Sequence, residues 1–182
     1  QSGGAGNPGA AAAVPTGFIA VPGQGMGGVR FGMTETQVVA AFGQPTEIKQ
    51  DKSFTVYLYR SLGFSVTFLP NRGVDGFDFF DTSWNPTFRW SRFNGATDKG
   101  IKIGSTRDEV IAAYGKPDEE SGGDTVGLAY WNPGLIFYLV KDRVVQLTLR
   151  APRPVRKAPV AVSTDSALSG GPYGQLQCQG EK

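Results

Sequence analysis

A duplication constrains this chain more than any other feature. Sliding the sequence along itself by 72 residues sets Phe31-Gly-Met-Thr34 on Ile103-Gly-Ser-Thr106 and makes eight of 17 positions in 31–47 identical to 103–119. Val38 meets Val110, Ala40 and Ala41 meet Ala112 and Ala113, Gly43 meets Gly115, and Pro45 meets Pro117. After a slip of one or two residues, Gly63-Phe64 matches Gly134-Leu135, Val74 matches Val144, and Phe77 and Phe79 match Leu147 and Leu149. Self-similarity at this period means one supersecondary unit copied in tandem. A unit of about 60 residues buries only about 60% of its extended-chain surface and is marginal alone. The two copies are therefore expected to share a core or to continue one sheet.

Each copy opens with a helix signal. Thr34-Glu-Thr-Gln37 and Thr106-Arg-Asp-Glu109 have the form of capping boxes, in which a threonine hydroxyl serves an orphan amide and the Gln or Glu reaches back. Val38, Ala41 and Phe42, like Val110, Ala113 and Tyr114, recur at helical spacing, and Gly43 and Gly115 end the run with proline two residues later. The β-branched and aromatic runs that follow predict strands at 53–60, 64–69 and 74–80, then at 125–131, 135–140 and 144–150. The expected fold is thus α+β: two tandem repeats, each a short helix followed by a three-stranded antiparallel meander, with extended N- and C-terminal arms.

Composition sets the boundaries. Residues 1–28 hold 9 of the 26 Gly and 3 of the 12 Pro, and residues 151–182 hold 4 of each. The domain reading is an extended Gly/Ala/Pro-rich arm over 1–28, a first repeat over 29–82, an aromatic-rich connection over 83–100, a second repeat over 101–150, and a basic, Pro-rich arm over 151–182. Residues 29–150 carry 14 Lys plus Arg against 14 Asp plus Glu. Nucleic-acid binding is therefore not expected, because it calls for a basic face. With no His and a single Cys, Cys178, the chain has no His general base, no His metal ligand, no internal disulfide and no multi-thiolate metal site. No cofactor, metal or catalytic residue is assigned, and an enzyme is not expected. The longest apolar run, Leu135 to Val140, is far below the roughly 20 residues of a membrane-spanning helix. The uncharged start at Gln1 reads as the mature end of an exported protein or as the cut end of a fragment, with the first expected.

The pattern Phe-Gly-Met-Thr-x-x-Gln-Val-x-x-x-x-Gly-x-Pro at 31–45, with Tyr57 or Tyr59 in the next strand and a hairpin ending in Val74, resembles the SmpA/OmlA (BamE-like) repeat. It is similar as well to the tandem repeat of β-lactamase inhibitor protein, whose copies also open on a Gly-Met-Thr helix start. The resemblance spans 29–150 and implies a non-enzymatic, protein-binding α+β scaffold. Three departures limit it. BamE-like lipoproteins are anchored through an N-terminal Cys, whereas the only Cys here is Cys178. The inhibitor's acidic-aromatic hairpin corresponds here to Arg60-Ser-Leu-Gly63, and its disulfides have no counterpart.

Three features are candidates for function. Trp84, Phe88, Trp90 and Phe93, with Arg89 and Arg92 between them, either plug the junction of the two copies or face a partner. Four such rings could bury about 600–1,000 Å², near one partner's share of a standard interface. The second feature is Arg153, Arg156 and Lys157, which suit an arm laid on an acidic partner or an anionic lipid surface. The third is Asp75, Asp78 and Asp81, whose alternation is expected to mark a solvated strand face rather than a Ca²⁺ site. The function read from these is a non-catalytic structural or accessory subunit of an exported, envelope-associated or membrane-peripheral assembly. It would bind other protein subunits through its sheet, its aromatic connection and its tails, with a periplasmic or extracellular location. The alternative is a proteinaceous inhibitor of a secreted hydrolase.

Overall fold

The computed structural model describes residues 18–81 and 90–152. In chain order its elements are β1 (Phe18–Val21), β2 (Gly25–Met26), β3 (Val29–Arg30), α1 (Glu35–Phe42), β4 (Glu47–Gln50), β5 (Thr55–Tyr59), β6 (Phe64–Leu69), β7 (Gly73–Phe80), β8 (Gly95–Thr97), α2 (Arg107–Tyr114), β9 (Glu119–Ser121), β10 (Val126–Tyr130), β11 (Leu135–Val140) and β12 (Arg143–Arg150). Eight strands form one sheet in the order β4-β5-β6-β7-β12-β11-β10-β9, and four form a second in the order β3-β2-β1-β8. Every pairing in the larger sheet is antiparallel. In the smaller sheet β1 and β8 run parallel.

These sheets correct the expected fold. In place of an α+β arrangement of two helix-plus-three-stranded-meander repeats, the described residues are mostly β, in sheets of eight and four strands, with two helices of 8 residues each; the arms over 1–17 and 153–182 lie outside the described residues. Three physical causes account for the difference. Glu47–Gln50 and Glu119–Ser121 are too polar to announce themselves as strands, yet each pairs with the neighbouring strand, β5 or β10, across a short turn. β7 pairs with β12, from Gln146 opposite Phe80 to Arg150 opposite Gly76, so the sheet does not stop between the copies. Finally, residues 18–28, assigned above to an extended arm, bury Phe18, Ala20 and Met26, and supply two strands of the smaller sheet.

Both helices are built by their caps. The Thr34 hydroxyl accepts from Gln37 N–H at 3.4 Å while Thr34 N–H donates to Gln37 Oε1 at 2.9 Å, and Thr106 and Glu109 repeat the exchange at 3.2 and 2.7 Å. Gly43 and Gly115 both stop the helix at φ 79°, a backbone state that favours glycine. Each helix fully buries one residue, Val38 or Val110. Phe42, Ala113 and Tyr114 pack against the core, whereas Ala41, expected on the same face, is exposed. Phenol groups then tie the helix ends to the large sheet: Tyr59 donates to the Gly43 carbonyl at 3.1 Å and Tyr130 to the Gly115 carbonyl at 2.9 Å.

One apolar cluster runs through all of this, drawing Phe18, Ala20 and Met26 from the smaller sheet, Val38 and Val110 from the helices, and alternate residues of β5 to β7 and β10 to β12. Phe79 lies 4.5 Å from Phe93, and Phe18 lies 5.5 Å from Phe64, ring centre to ring centre. Among the described residues no helix is long and apolar enough to cross a membrane.

Candidate functional site

Strand alternation gives the eight-stranded sheet two faces. Tyr57, Tyr59, Phe64, Phe77, Phe79 and Leu147 lie on the face that joins the core. The core takes no side chain from the opposite, open face. There the register sets Leu58, Ser65, Asp78, Thr148, Ile136 and Ala129 side by side across six strands. A second row reads Phe80, Gln146, Tyr138 and Gly127, and a third Val56, Thr67, Gly76 and Arg150. Val56, Leu58, Ser65, Thr67, Ala129 and Thr148 are buried, while Phe80, Tyr138, Ile136, Gln146 and Arg150 are half-buried.

A charged network marks the middle of this face, where β7 meets β12. Arg150 Nη2 lies 3.0 Å from Asp78 Oδ1, Nη1 lies 3.3 Å from Oδ2, and the Thr148 hydroxyl donates to Oδ1 at 2.7 Å. The two-pronged contact fixes the guanidinium plane. Gly76 makes it feasible, because a Cβ there would overlap the Arg150 guanidinium. Beside the pair, burial raises the Tyr138 phenol above its usual range, and the Asp78 charge adds to that shift. Asp75 is 3% exposed, with its carboxylate 3.7 Å from Arg72, and Asp81 is 8% exposed. The expectation of a solvated acidic strand face is thereby corrected: Asp75 and Asp81 are buried, and Asp75 and Asp78 lie beside Arg72 and Arg150.

At one margin, Trp90 packs on Phe80 at 4.7 Å and the Arg60 guanidinium lies 5.1 Å from the indole centre. Arg60 also grips Glu47, Nη2 to Oε2 at 2.6 Å, and that hydrogen bond holds the Glu47 carboxyl below the usual carboxylate range. Ser91 N–H donates to the Arg60 carbonyl at 2.8 Å, which fastens the chain beside Trp90 to the β5–β6 turn.

Of the three described residues that the sequence singled out for partner binding, Trp90, Arg92 and Phe93, Trp90 packs at the margin of this face. Phe93, 3% exposed, is a core residue that fills the junction between the copies instead of facing a partner. Arg92 is exposed and donates to the Ile103 carbonyl at 2.6 Å, tying the connection to the start of the second copy. Trp84, Phe88, Arg89, Arg153, Arg156, Lys157 and Cys178 lie outside the described residues. Sequence reasoning passed over Arg60, Phe80, Tyr138 and Arg150, since each sits inside a strand or turn whose alternation was used only to find the core. It also passed over Trp131, 56% exposed beyond the end of β10. Among the described residues no group of three or more acidic or thiol side chains could hold a metal ion. A cleft of about 570 Å³ on the helix side is lined by Glu35, Lys52, Phe54, Phe68 and Arg72, apart from the open face.

No protein family matches the sequence, and no curated protein does. Two solved structures share part of its shape. A DUF4309 family protein (YjgB) of Bacillus subtilis subsp. subtilis str. 168 is 16% identical with a TM-score of 0.41, the match covering 65% of this chain and 78% of that one. An extracellular protein containing an SCP domain from Bacillus anthracis str. Ames is 13% identical with a TM-score of 0.40, covering 64% of this chain and 42% of that one. Likenesses at this level assign neither family nor function.

Proposed function

We propose that the chain is a non-catalytic protein-binding subunit of an exported or envelope-associated assembly, and that it docks a protein partner on the open face of its eight-stranded sheet. The observation that carries this reading is the set of aromatic and Arg side chains on that face, each already fixed by an internal contact: Trp90 by Phe80 and Arg60, and Arg150 by Asp78. Tryptophan, tyrosine and arginine dominate binding energy at protein interfaces. Side chains ordered before binding lose less entropy when the partner arrives. The location in the envelope, a contact with a membrane surface, the role of Arg153, Arg156 and Lys157, and kinship with the SmpA/OmlA or inhibitor repeats belong to the same proposal. They rest on sequence composition and on the 31–45 motif.

Trp90→Ala combined with Tyr138→Ala, in chains whose melting shows the fold retained, is expected to weaken capture of the native partner by about 30-fold or more, as loss of about 2 kcal/mol of aromatic contact implies. Undiminished capture of the same subunits would remove the open face from the account. Inhibition of a secreted hydrolase is a second reading, supported by Trp131, which offers a large exposed ring beside a tight hairpin. Under it, Trp131→Ala rather than the open-face pair abolishes binding, and the captured species is a single enzyme.

A further inference from the structure

The two edges of the large sheet are not alike. β9 presents Glu119-Glu120-Ser121, all exposed; Arg107 binds Glu120 at 2.8 Å, but the strand itself holds two acids and no cation, so a second copy laid antiparallel on it brings four carboxylates to the seam. β4 presents Glu47-Ile48-Lys49-Gln50, and Ile48 is 53% exposed. No described strand pairs with its outer side. The hairpin that joins β4 to β5 closes with Asp51 N–H donating to the Phe54 carbonyl at 2.9 Å. Antiparallel alternation then turns Lys49 toward Val56 and leaves the N–H and C=O groups of Ile48 and Gln50 pointing away from the sheet.

We propose that β4 is a homodimer interface, two copies pairing β4 to β4 antiparallel about a two-fold axis at Ile48. In that register the outward amide and carbonyl of Ile48 meet those of the second Ile48, the two side chains lie opposite each other, and Glu47 of each copy faces Lys49 of the other. A two-fold contact must be complementary to itself, and this four-residue edge is. Unpaired strand edges are templates for pairing unless charge or shape blocks them. On β9 the like charges block it. On β4 the charges match. Head-to-tail pairing of β4 with β9 would not close and would leave an open chain of copies.

Sedimentation equilibrium of the full chain over a rising concentration series tests this. The wild type is expected to pass from monomer to dimer and no further. Ile48→Pro removes the outward donor at an edge position that tolerates proline, and Lys49→Glu sets acid opposite acid; each is expected to weaken the dimer by about tenfold or more. Mixing Glu47→Lys chains with Lys49→Glu chains should restore a dimer that neither forms alone, because the opposed pairs become complementary again. Circular dichroism is the check that Lys49→Glu, a change at an exposed side chain, leaves the fold intact. A wild type that stays monomeric at its highest soluble concentration overturns the proposal. So does a dimer indifferent to Ile48→Pro and Lys49→Glu, or growth past dimer into larger species.

Discussion

Single hydroxyls and single missing Cβ atoms decide much of this molecule. Tyr59 and Tyr130 each place a phenol on the last carbonyl of a helix, where no intrahelical donor remains. Burial keeps the Tyr59 phenol neutral and pushes its pKa up to about 12, and the neighbouring Tyr57 is likewise raised to about 12 by burial and then by its bond to Glu35. The folded state thus holds these protons more tightly than the unfolded chain, whose tyrosines ionise near pH 10. Their contribution to stability is complete below about pH 10 and is lost as pH rises through about 12. Alkaline titration by phenolate absorbance should show that Tyr59→Phe removes a component rising near pH 12. Loss of a component rising near pH 10 would mean that Tyr59 is solvated.

At the scale of elements, the seam between β7 and β12 is where two copied segments become one sheet. Asp78 and Arg150 have side chains only 15% and 19% exposed, and the Thr148 hydroxyl completes the carboxylate's shell. Removing one partner of a buried pair strands the other, at a cost of 3–5 kcal/mol when burial is complete. Partial exposure here lowers the figure, and Asp78→Ala is expected to cost about 2 kcal/mol in urea unfolding. A change below about 0.5 kcal/mol, the size typical of a surface substitution, would show that the pair does not hold the seam. The helices were legible because capping is local: Thr34 with Gln37 and Thr106 with Glu109 need only four consecutive residues to declare themselves. Strands such as Phe64–Leu69 and Leu135–Val140 were legible from their apolar runs. β4 and β9 were not, because a polar edge strand owes its conformation to the neighbour it pairs with, and no alternation within Glu47–Gln50 or Glu119–Ser121 records that neighbour.

On the scale of the whole molecule, duplication predicted a shared core or a continued sheet without saying which strands meet. The answer, β7 against β12, rests on contacts about 70 residues apart in sequence, such as Thr148 with Asp78. The open face follows from that join. It brings Phe80, Tyr138, Ile136 and Arg150, from both copies, onto one surface, with Trp90 packed at its margin. Sequence clustering drew attention to 84–93, but clustering along the chain is not clustering in space: Phe93 went into the core, and the residues that share the face with Trp90 are scattered from Arg60 to Arg150. A photoreactive residue placed in the native cell at Tyr138, on the open face, or at Ala40, exposed on α1, tests the central claim most directly. The account predicts crosslinks from position 138 to a distinct protein partner and none to that partner from position 40. Crosslinks to the partner from position 40 with none from 138 would contradict it.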